Sequence, residues 1–237
     1  MTPLDASPIA SDPRAAAFIF DMDGTMIDSM PSHQVSWIEF VKRHGIQIDV
    51  PDLMRRTTGR TGSECMRMLL GDHLTDDQAM ELVHEKEAIY RELFAPIFSE
   101  VAGFKAFAEE ARQRGLKIGV GTAGDRHNVA FALSHLAMEP APQAIVGGDE
   151  GLPGKPEPHI FLEVARRLGV APAACIVFED APLGIDAARR AGMRAVGISS
   201  SHAADELTGP HVLAVVPDYR ALMELNFLEI CHVASPC

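Results

Sequence analysis

The pattern that most constrains the fold is a regular alternation of short apolar segments with longer amphipathic segments after residue 97. The apolar segments have the length and composition of buried strands, and the segments between them have helical periodicity. Strands that alternate with helices pair in parallel through right-handed crossovers. The predicted strands are 15–20, 116–121, 144–146, 174–178, 194–198 and 212–216, and the predicted helices between them are 104–114, 125–137, 158–168 and 183–191.

A helical block interrupts this pattern after the first strand. Residues 32–96 contain no strand pattern. Their first predicted helix carries apolar residues at Val35, Trp37, Ile38, Phe40 and Val41, and a second helix is predicted over 76–94. We therefore predict an α/β protein with a doubly wound, Rossmann-like parallel-sheet core (15–30 and 97–237), a small all-helical cap domain inserted after the first strand (31–96) and a flexible tail (1–14).

Polar side chains follow the predicted strands at the points where they end. In an open parallel sheet, ligands bind beyond the carboxyl ends of the strands. The residues in question come from the ends of the first, second and fourth strands and from the loop after the third. They are Asp21, Asp23, Thr122, Lys155, Glu179 and Asp180. We expect them to converge on one edge of the sheet.

That set of residues suits phosphoryl transfer. Two carboxylates as close as Asp21 and Asp23 raise each other's pKa, and a bound cation would offset the repulsion. Ligands that are all oxygen atoms favour Mg²⁺. One carboxylate can attack phosphorus while the other moves the protons. Lys155 and Thr122 can hold the transferring oxygens.

The sequence motifs resemble those of a known family. FDMDGT at 20–25, the threonine after the second strand, GKPEP at 154–158 and VFEDAPLGIDAARRAGM at 177–193 resemble the four ordered motifs of the haloacid dehalogenase superfamily. The resemblance is to subfamily I, whose helical C1 cap follows the first strand and which contains β-phosphoglucomutases and sugar-phosphate phosphatases. It covers roughly residues 15–225.

This resemblance implies a role for each motif residue. It implies Asp21 as nucleophile and Asp23 as acid and base. It implies Mg²⁺ held by Asp21, the backbone carbonyl of Asp23 and Asp180, with Glu179 close by. It implies phosphate contacts from Thr122, Ala123 and Lys155.

The predicted cap supplies the candidate substrate residues His33, Thr58, Gly59 and Arg60. In the subfamily, a histidine at the position of His33 often touches the substrate or the second aspartate. The alternative is an exposed residue near a helix N-terminus. We expect the loop 57–63 to read the leaving group.

The cap loop distinguishes two activities of the subfamily. The mutases carry a lysine just before a shared cap glycine and an arginine three residues after it. Aligned on Gly59, this chain has Thr58 and Gly62 at those positions. The loss of both charges favours a phosphatase, although Arg60 could substitute.

We therefore predict a Mg²⁺-dependent phosphatase of a small phosphate monoester, most simply a sugar phosphate, that acts through an aspartyl-phosphate. The alternative is a β-phosphoglucomutase-type phosphotransferase. An inorganic pyrophosphatase is less favoured. So is a 2-haloacid dehalogenase, because those enzymes usually lack the second aspartate that Asp23 supplies. A phospho-acceptor regulatory domain would have no use for Asp23 or for the helical insert.

One motif points elsewhere. Gly119-Val-Gly121-Thr-Ala-Gly124 matches the dinucleotide fingerprint GxGxxG between a strand and a helix. It would follow the second strand here, and the Asp21–Asp23 pair after the first strand would repel a pyrophosphate. We therefore do not expect a dinucleotide site.

The composition limits the kinds of partner and the cellular location that we expect. The formal net charge is -12 with a pI of about 5.2, whereas proteins that bind nucleic-acid backbones usually present a basic face. No apolar run approaches the ~18 residues of a membrane span, and the first residues lack the basic start and apolar run of a signal peptide. The cysteines form no CxxC pair, which is typical of reduced thiols. We expect a cytoplasmic monomer or weak homodimer that binds a small phosphate ester, no nucleic acid and no membrane.

Overall fold

The computed structural model describes residues 15–230, so the predicted tail over 1–14 and the last seven residues lie outside the described residues. The described chain forms a six-stranded parallel sheet of order β3-β2-β1-β4-β5-β6. The strands are β1 (Ala17–Phe20), β2 (Lys117–Gly121), β3 (Ala144–Val146), β4 (Cys175–Glu179), β5 (Arg194–Ile198) and β6 (Val212–Val216). The predicted strands are confirmed to within two residues at each end.

The described helices are α1 (Met30–Arg43), α2 (Val50–Thr57), α3 (Gly62–Leu70), α4 (Asp76–Phe94), α5 (Phe104–Gln113), α6 (Arg126–Leu136), α7 (His159–Leu168), α8 (Pro182–Arg190), α9 (Tyr219–Glu224) and α10 (Phe227–Ile230). Helices α5, α6, α9 and α10 cover one face of the sheet, and α7 and α8 cover the other. The sheet is therefore doubly wound, as predicted. In the part of the chain that the structure describes, no helix is both long and apolar enough to cross a membrane.

The central strand β1 is buried on both faces, which explains its unbroken apolar sequence. Phe18 and Phe20 point to one face, where they pack against Phe178 at ring-centroid distances of 4.9 Å and 4.7 Å. Ala17 and Ile19 point to the opposite face. Because the next residue is Asp21, the rigid strand delivers this carboxylate to the edge of the sheet.

The glycines of the GxGxxG sequence serve packing. A Cβ on Gly119 would lie 2.4 Å from Val164 Cγ1, and one on Gly121 would lie 2.9 Å from Ile160 Cγ2. Helix α7 therefore approaches β2 more closely than any larger residue would allow. Close packing accounts for these glycines without a nucleotide.

Helices α1–α4 form the helical insert (residues 30–94) between β1 and the rest of the sheet. Its apolar side chains form a hydrophobic cluster of their own, and α3 and α4 each begin with a capping box. The predicted bounds of α4 are confirmed, and the insert is entirely helical, as predicted. The sequence reading did not separate α2 and α3.

The buried face of α1 differs in part from the predicted one. Val35 and Ile38 are 50% and 47% exposed, whereas Trp37, Phe40 and Val41 are buried. Two apolar stripes compete on this helix, and the stripe with the two large aromatic rings removes more apolar area from water. The small residues Ser32 and Ser36 complete the buried face.

Candidate active site

A buried lysine joins two of the predicted carboxylates at the carboxyl edge of the sheet. Lys155 Nζ lies 2.5 Å from Asp21 Oδ1 and 2.6 Å from Glu179 Oε1. Burial alone would lower the pKa of Lys155, but the facing Asp21 and Glu179 hold it above its ordinary value. Lys155 is therefore a permanently charged group beside Asp21.

Three buried carboxylates meet at the same point. Oxygens of Asp21, Glu179 and Asp180 lie within 4.8 Å of one another. Burial raises the pKa of Asp21 to about 8, although Lys155 opposes the shift. Burial, followed by the charges of Glu179 and Asp21, also raises the pKa of Asp180 well above its ordinary range. The single positive charge of Lys155 does not balance the charges of these three carboxylates. Their hard oxygen donors fit a divalent cation.

Asp180 is held in place by hydroxyl groups. Thr25 Oγ1 donates to Asp180 Oδ1 at 3.2 Å, and Ser201 Oγ donates to Asp180 Oδ2. A Cβ on Gly24 would lie 2.2 Å from Asp180 Oδ2, so the turn after β1 must pass here without a side chain. The glycine and threonine of the DGT motif therefore fix a carboxylate that lies far away in sequence.

Asp23 lies in a different environment from Asp21. Its Oδ1 accepts hydrogen bonds from Ser29 Oγ at 2.7 Å, Tyr90 Oη at 3.3 Å and His33 Nε2 at 3.1 Å. Burial by itself would raise the pKa of Asp23, but the His33 imidazole and the Ser29 hydroxyl hold it below its ordinary value. Within the described residues, its side chain is not part of the three-carboxylate cluster.

His33 contacts Asp23 in the interior, and it is not an exposed residue at the start of α1. Its ring stacks on Tyr90 with a centroid distance of 3.8 Å. Lys86 Nζ lies 2.7 Å from His33 Nδ1. An ammonium group can only donate, so Nδ1 accepts and Nε2 carries the proton that faces Asp23. Of the two alternatives that the sequence left open, the geometry favours the contact with Asp23.

The sequence reading missed a polar network behind His33. Lys86 Nζ donates to Glu87 Oε1 at 2.9 Å, and Asn128 Nδ2 donates to Glu87 Oε2 at 2.7 Å. Arg91 Nη1 donates to Asn128 Oδ1 at 2.7 Å. This network joins α4 of the insert to α6 of the sheet domain. The available signal was Lys86 itself, a lysine on the apolar side of a predicted helix.

A cavity of about 110 Å³ lies between the helical insert and this edge of the sheet. The predicted residues that line it are Asp21, Asp23, His33, Thr58, Gly59, Arg60, Thr122, Ala123, Glu179 and Asp180. The lining residues that the sequence reading missed include Trp37, Met54, Lys86, Glu87 and Asn128. Lys155 lies behind the wall, against Asp21. The structure thus brings every predicted site residue to one place.

The insert loop closes directly over the sheet edge. Gly59 has φ +84°, and a Cβ there would lie 3.9 Å from Lys155 Cδ. Thr58 Oγ1 donates to Met54 O at 2.7 Å, so its hydroxyl is already bonded. Arg60 Nε donates to Arg56 O at 3.2 Å. On the other wall, Thr122 Oγ1 accepts from Gly124 N at 3.0 Å, which leaves its hydroxyl proton for a ligand.

Gly62, where mutases of the subfamily resembled carry arginine, has no room for a side chain. A Cβ at this position would lie 2.8 Å from Val83 Cγ1 of α4. The close approach of α3 to α4 therefore excludes any longer residue in this arrangement. The wall of the cavity lacks a cation at that point.

Comparison with known proteins gives the family. The haloacid dehalogenase-like hydrolase family matches residues 15–192. The chain is 33% identical over 198 residues to the validoxylamine A 7'-phosphate phosphatase of Streptomyces hygroscopicus subsp. limoneus. The aligned segment covers 82% of this chain and 91% of that protein. The chain is 33% identical over 185 residues to the fructose-1-phosphate phosphatase YqaB of Escherichia coli (strain K12), covering 78% of this chain and 97% of that protein.

A solved structure agrees with these relatives. The β-phosphoglucomutase from Clostridium difficile matches with a TM-score of 0.79 at 26% identity, and the match covers 92% of this chain and 97% of that one. Both the fold and the sequence motifs thus lead to the same group of enzymes. The chain belongs to the haloacid dehalogenase-like hydrolase family.

Proposed function

We propose that this hydrolase is a Mg²⁺-dependent phosphatase of small phosphate monoesters, in particular sugar phosphates, and that it forms an aspartyl-phosphate on Asp21. The observation that carries the proposal is the pair of aspartates in one cavity with different surroundings. Asp21 lies between Lys155 and two further carboxylates, and Asp23 lies among hydrogen-bond donors. The names of the two phosphatase relatives support a phosphorylated carbohydrate-like substrate.

The reaction takes two steps. In the first, a carboxylate oxygen of Asp21 attacks phosphorus, the bond from phosphorus to the leaving oxygen breaks, and Asp23 gives that oxygen a proton. In the second, Asp23 takes a proton from water as the water attacks phosphorus. The bond to Asp21 then breaks and inorganic phosphate leaves.

The surroundings of Asp23 fit the second step as they stand. The hydrogen bonds from Ser29, His33 and Tyr90 stabilise the carboxylate, which is the form that accepts a proton. To act as an acid in the first step, Asp23 must carry a proton. We propose that binding of the phosphate group, with its negative charge, raises the pKa of Asp23 and supplies that form.

The remaining residues hold the transferring group. Lys155 places a positive charge beside Asp21, and the Thr122 hydroxyl with the backbone of Ala123 faces the same space. Asp21, the backbone carbonyl of Asp23 and Asp180 would hold the metal ion, with Glu179 beside them. When bound, Mg²⁺ supplies positive charge that offsets the repulsion between the substrate phosphate and Asp21.

We further propose that residues 31–96 act as a cap on a core of 15–30 and 97–237. Loop 57–63 would read the leaving group, with His33, Thr58, Gly59 and Arg60 nearest to it. The chain crosses between the two parts at 29–31 and 95–99, which we propose as hinges. A separate apolar cluster inside the insert supports this division.

Phosphate release from a panel of esters tests the proposal. The panel contains hexose 1- and 6-phosphates, phosphoglycolate, nucleotides and pyrophosphate, each with Mg²⁺ and with chelator. We expect Mg²⁺-dependent release from sugar phosphates and none from the Asp21→Ala variant. Full activity in Asp21→Ala, or equal activity in chelator, would overturn the mechanism.

A mutase remains the second candidate because a β-phosphoglucomutase shares the fold with a TM-score of 0.79. The absence of a side chain at Gly62 argues against it, since a mutase must hold a second phosphate in the cap. β-Glucose 1-phosphate separates the two. Conversion to glucose 6-phosphate without phosphate release would make the mutase the correct function.

A further inference from the structure

A groove lies beside the active-site cavity, between the helical insert and the sheet domain. Its walls come from the segments 30–34 of α1, 51–58 of α2 and its C-terminal end, and 200–206 after β5. We call it the side groove. Its volume is about 440 Å³, against about 110 Å³ for the active-site cavity. Sites for small molecules commonly have volumes of about 300–1,000 Å³, so the side groove has the size of a binding site.

The side groove adjoins the active-site cavity directly. Met30, Met54 and Thr58 line both spaces. On the opposite wall, Ser201 of the groove donates a hydrogen bond to Asp180 Oδ2 of the carboxylate cluster. Methionine side chains are unbranched and adapt their shape to a neighbour. A leaving group that passes the two methionines therefore reaches the side groove.

Polar side chains in the groove are available to a ligand. His202 Nδ1 lies 3.0 Å from the backbone oxygen of Asp180. A carbonyl oxygen only accepts, so Nδ1 donates and Nε2 of the neutral ring remains an acceptor. Across the groove, Gln34 is exposed, and its amide can both donate and accept. These groups match the donors and acceptors of hydroxyl groups.

The charges in the groove favour a neutral ligand. Among the residues that line it, Arg55 is the one lysine or arginine, and its Nη2 already donates to Asp52 Oδ1. The groove therefore offers no unpaired cation to a second phosphate or a carboxylate. Met30, Pro31 and Met54 add apolar surface, which suits the C–H groups of a sugar ring. Apolar walls with a few polar groups are typical of small-molecule sites.

We propose that the leaving group of the substrate extends past Met30 and Met54 and that its distal part lies in the side groove. The substrate class is then a phosphate monoester of a disaccharide, or of a neutral polyol of similar length. The phosphorylated ring lies in the active-site cavity and the second ring lies in the groove. This inference rests on the proposed phosphatase function and names the substrate class of that site.

Matched esters test the inference. The values of kcat/KM for Mg²⁺-dependent phosphate release are compared between trehalose 6-phosphate and glucose 6-phosphate, and between maltose 1-phosphate and glucose 1-phosphate. Within each pair the phosphorylated ring is the same and the second ring is the difference. We expect the disaccharide ester to exceed its counterpart about ten-fold or more in at least one pair, which is the size of one or two net hydrogen bonds.

The variant Ala203→Trp assigns the preference to the side groove. Ala203 lines the groove with an exposed side chain, so a tryptophan there would occupy its space. We expect the ratio of kcat/KM between the disaccharide and the monosaccharide ester to fall about ten-fold or more. Ala204→Trp is the matched control, because Ala204 is the next residue and is exposed, but lines neither the cavity nor the groove. Its ratio should stay at the wild-type value.

The outcomes separate the two proposals. Phosphate release with neither disaccharide ester preferred would overturn the inference and leave the phosphatase in place. So would a preference that survives Ala203→Trp, or one that falls equally in Ala204→Trp. No Mg²⁺-dependent release from any ester, in these pairs or in the wider panel, would overturn both. Thermal unfolding of each variant verifies that the compared proteins are folded.

Discussion

At the scale of single residues, the site is a set of acids held together against their own repulsion. Asp21, Glu179 and Asp180 share a buried space with one lysine, Lys155. The raised pKa of Asp21 and of Asp180 means that the metal-free fold binds protons that the unfolded chain releases. The contribution of these two groups to the stability of the metal-free protein therefore falls as the pH rises from about 4 toward about 8.

Asp180→Asn should remove part of this loss of stability with rising pH. In chelator we expect the melting temperature of the variant to fall less than that of wild type between about pH 5 and pH 8. We also expect Mg²⁺ at about 100 times its Kd to stabilise wild type by about 2.7 kcal/mol and the variant by much less. Thermal unfolding across pH, with and without Mg²⁺, measures both effects. Equal stabilisation of the two proteins by Mg²⁺ would show that Asp180 is not a ligand.

Asp23→Asn should separate the two chemical steps. With p-nitrophenyl phosphate the leaving group needs no proton, so Asp21 should still become phosphorylated, with one equivalent of nitrophenolate released as a burst. Hydrolysis of the aspartyl-phosphate should then be slowed about 10²- to 10⁴-fold, because no base activates water. With a sugar phosphate, both steps should be slow. Rapid-mixing absorbance measures the burst, and Asp21→Ala, which should give none, is the control.

At the scale of elements, the approach of α3 to α4 shapes the wall of the cavity that the helical insert forms. The capping box formed by Thr61 and Glu64 starts α3. Gly62 then lets this helix reach Val83 of α4. A Cβ at Gly154 would lie 2.5 Å from Glu64 Oε2, so the same turn of α3 also touches the loop that carries Lys155. One short turn of helix thus sets the distance between the insert and the lysine.

Gly62→Ala tests this packing. Alanine is a better helix former than glycine by about 1 kcal/mol, and a site with free space would become more stable. Here the clash with Val83 should outweigh that gain and destabilise the protein by about 1–3 kcal/mol. Adding Val83→Ala should recover part of the loss, so the double variant should be more stable than the sum of the single effects predicts. Denaturant unfolding of all four proteins measures the coupling, and strict additivity would contradict it.

At the scale of the whole molecule, the helical insert meets the sheet domain beside the cavity through polar contacts, whereas Tyr90 and Phe94 of α4 pack into the apolar core of the sheet domain. Arg91 and Glu87 of the insert bond to Asn128 of α6, while the main apolar cluster of the insert lies within the insert itself. Polar contacts at a cavity rim are exchanged for water more readily than an apolar core is opened. Residues of loop 57–63 lie at the sheet edge that carries Asp21, and we propose that this arrangement is the closed one.

Opening of the insert should be visible in solution. We expect the radius of gyration to decrease when Mg²⁺ and a phosphate mimic bind, because the closed arrangement then gains ligand contacts. X-ray scattering with and without the ligands measures this. Asp180→Asn, with its weakened metal binding, should show a smaller change. Superimposable curves for the wild-type protein would show that the hinges do not open the site.

Most of the fold was predictable because its signals are local. Strands β3, β5 and β6 have the predicted bounds, since apolar runs and flanking turns are read within a few residues. The acids and Thr122 could also be placed at one edge of the sheet. The carboxyl ends of parallel strands share that edge, however the helices pack against the sheet. The sequence by itself therefore determined the sheet, the helical insert and the set of residues at the strand ends.

The wall of the cavity around Lys86, Glu87 and Asn128 was decided only by tertiary structure. Lys86 reaches His33 across 53 residues, and Glu87 reaches Asn128 across 41. These contacts depend on the angle and depth at which whole helices pack, and no periodicity along one helix contains that information. The physical reason is that a carboxylate at a strand end is placed by its own strand, whereas a pocket wall is placed by the packing of elements remote in sequence.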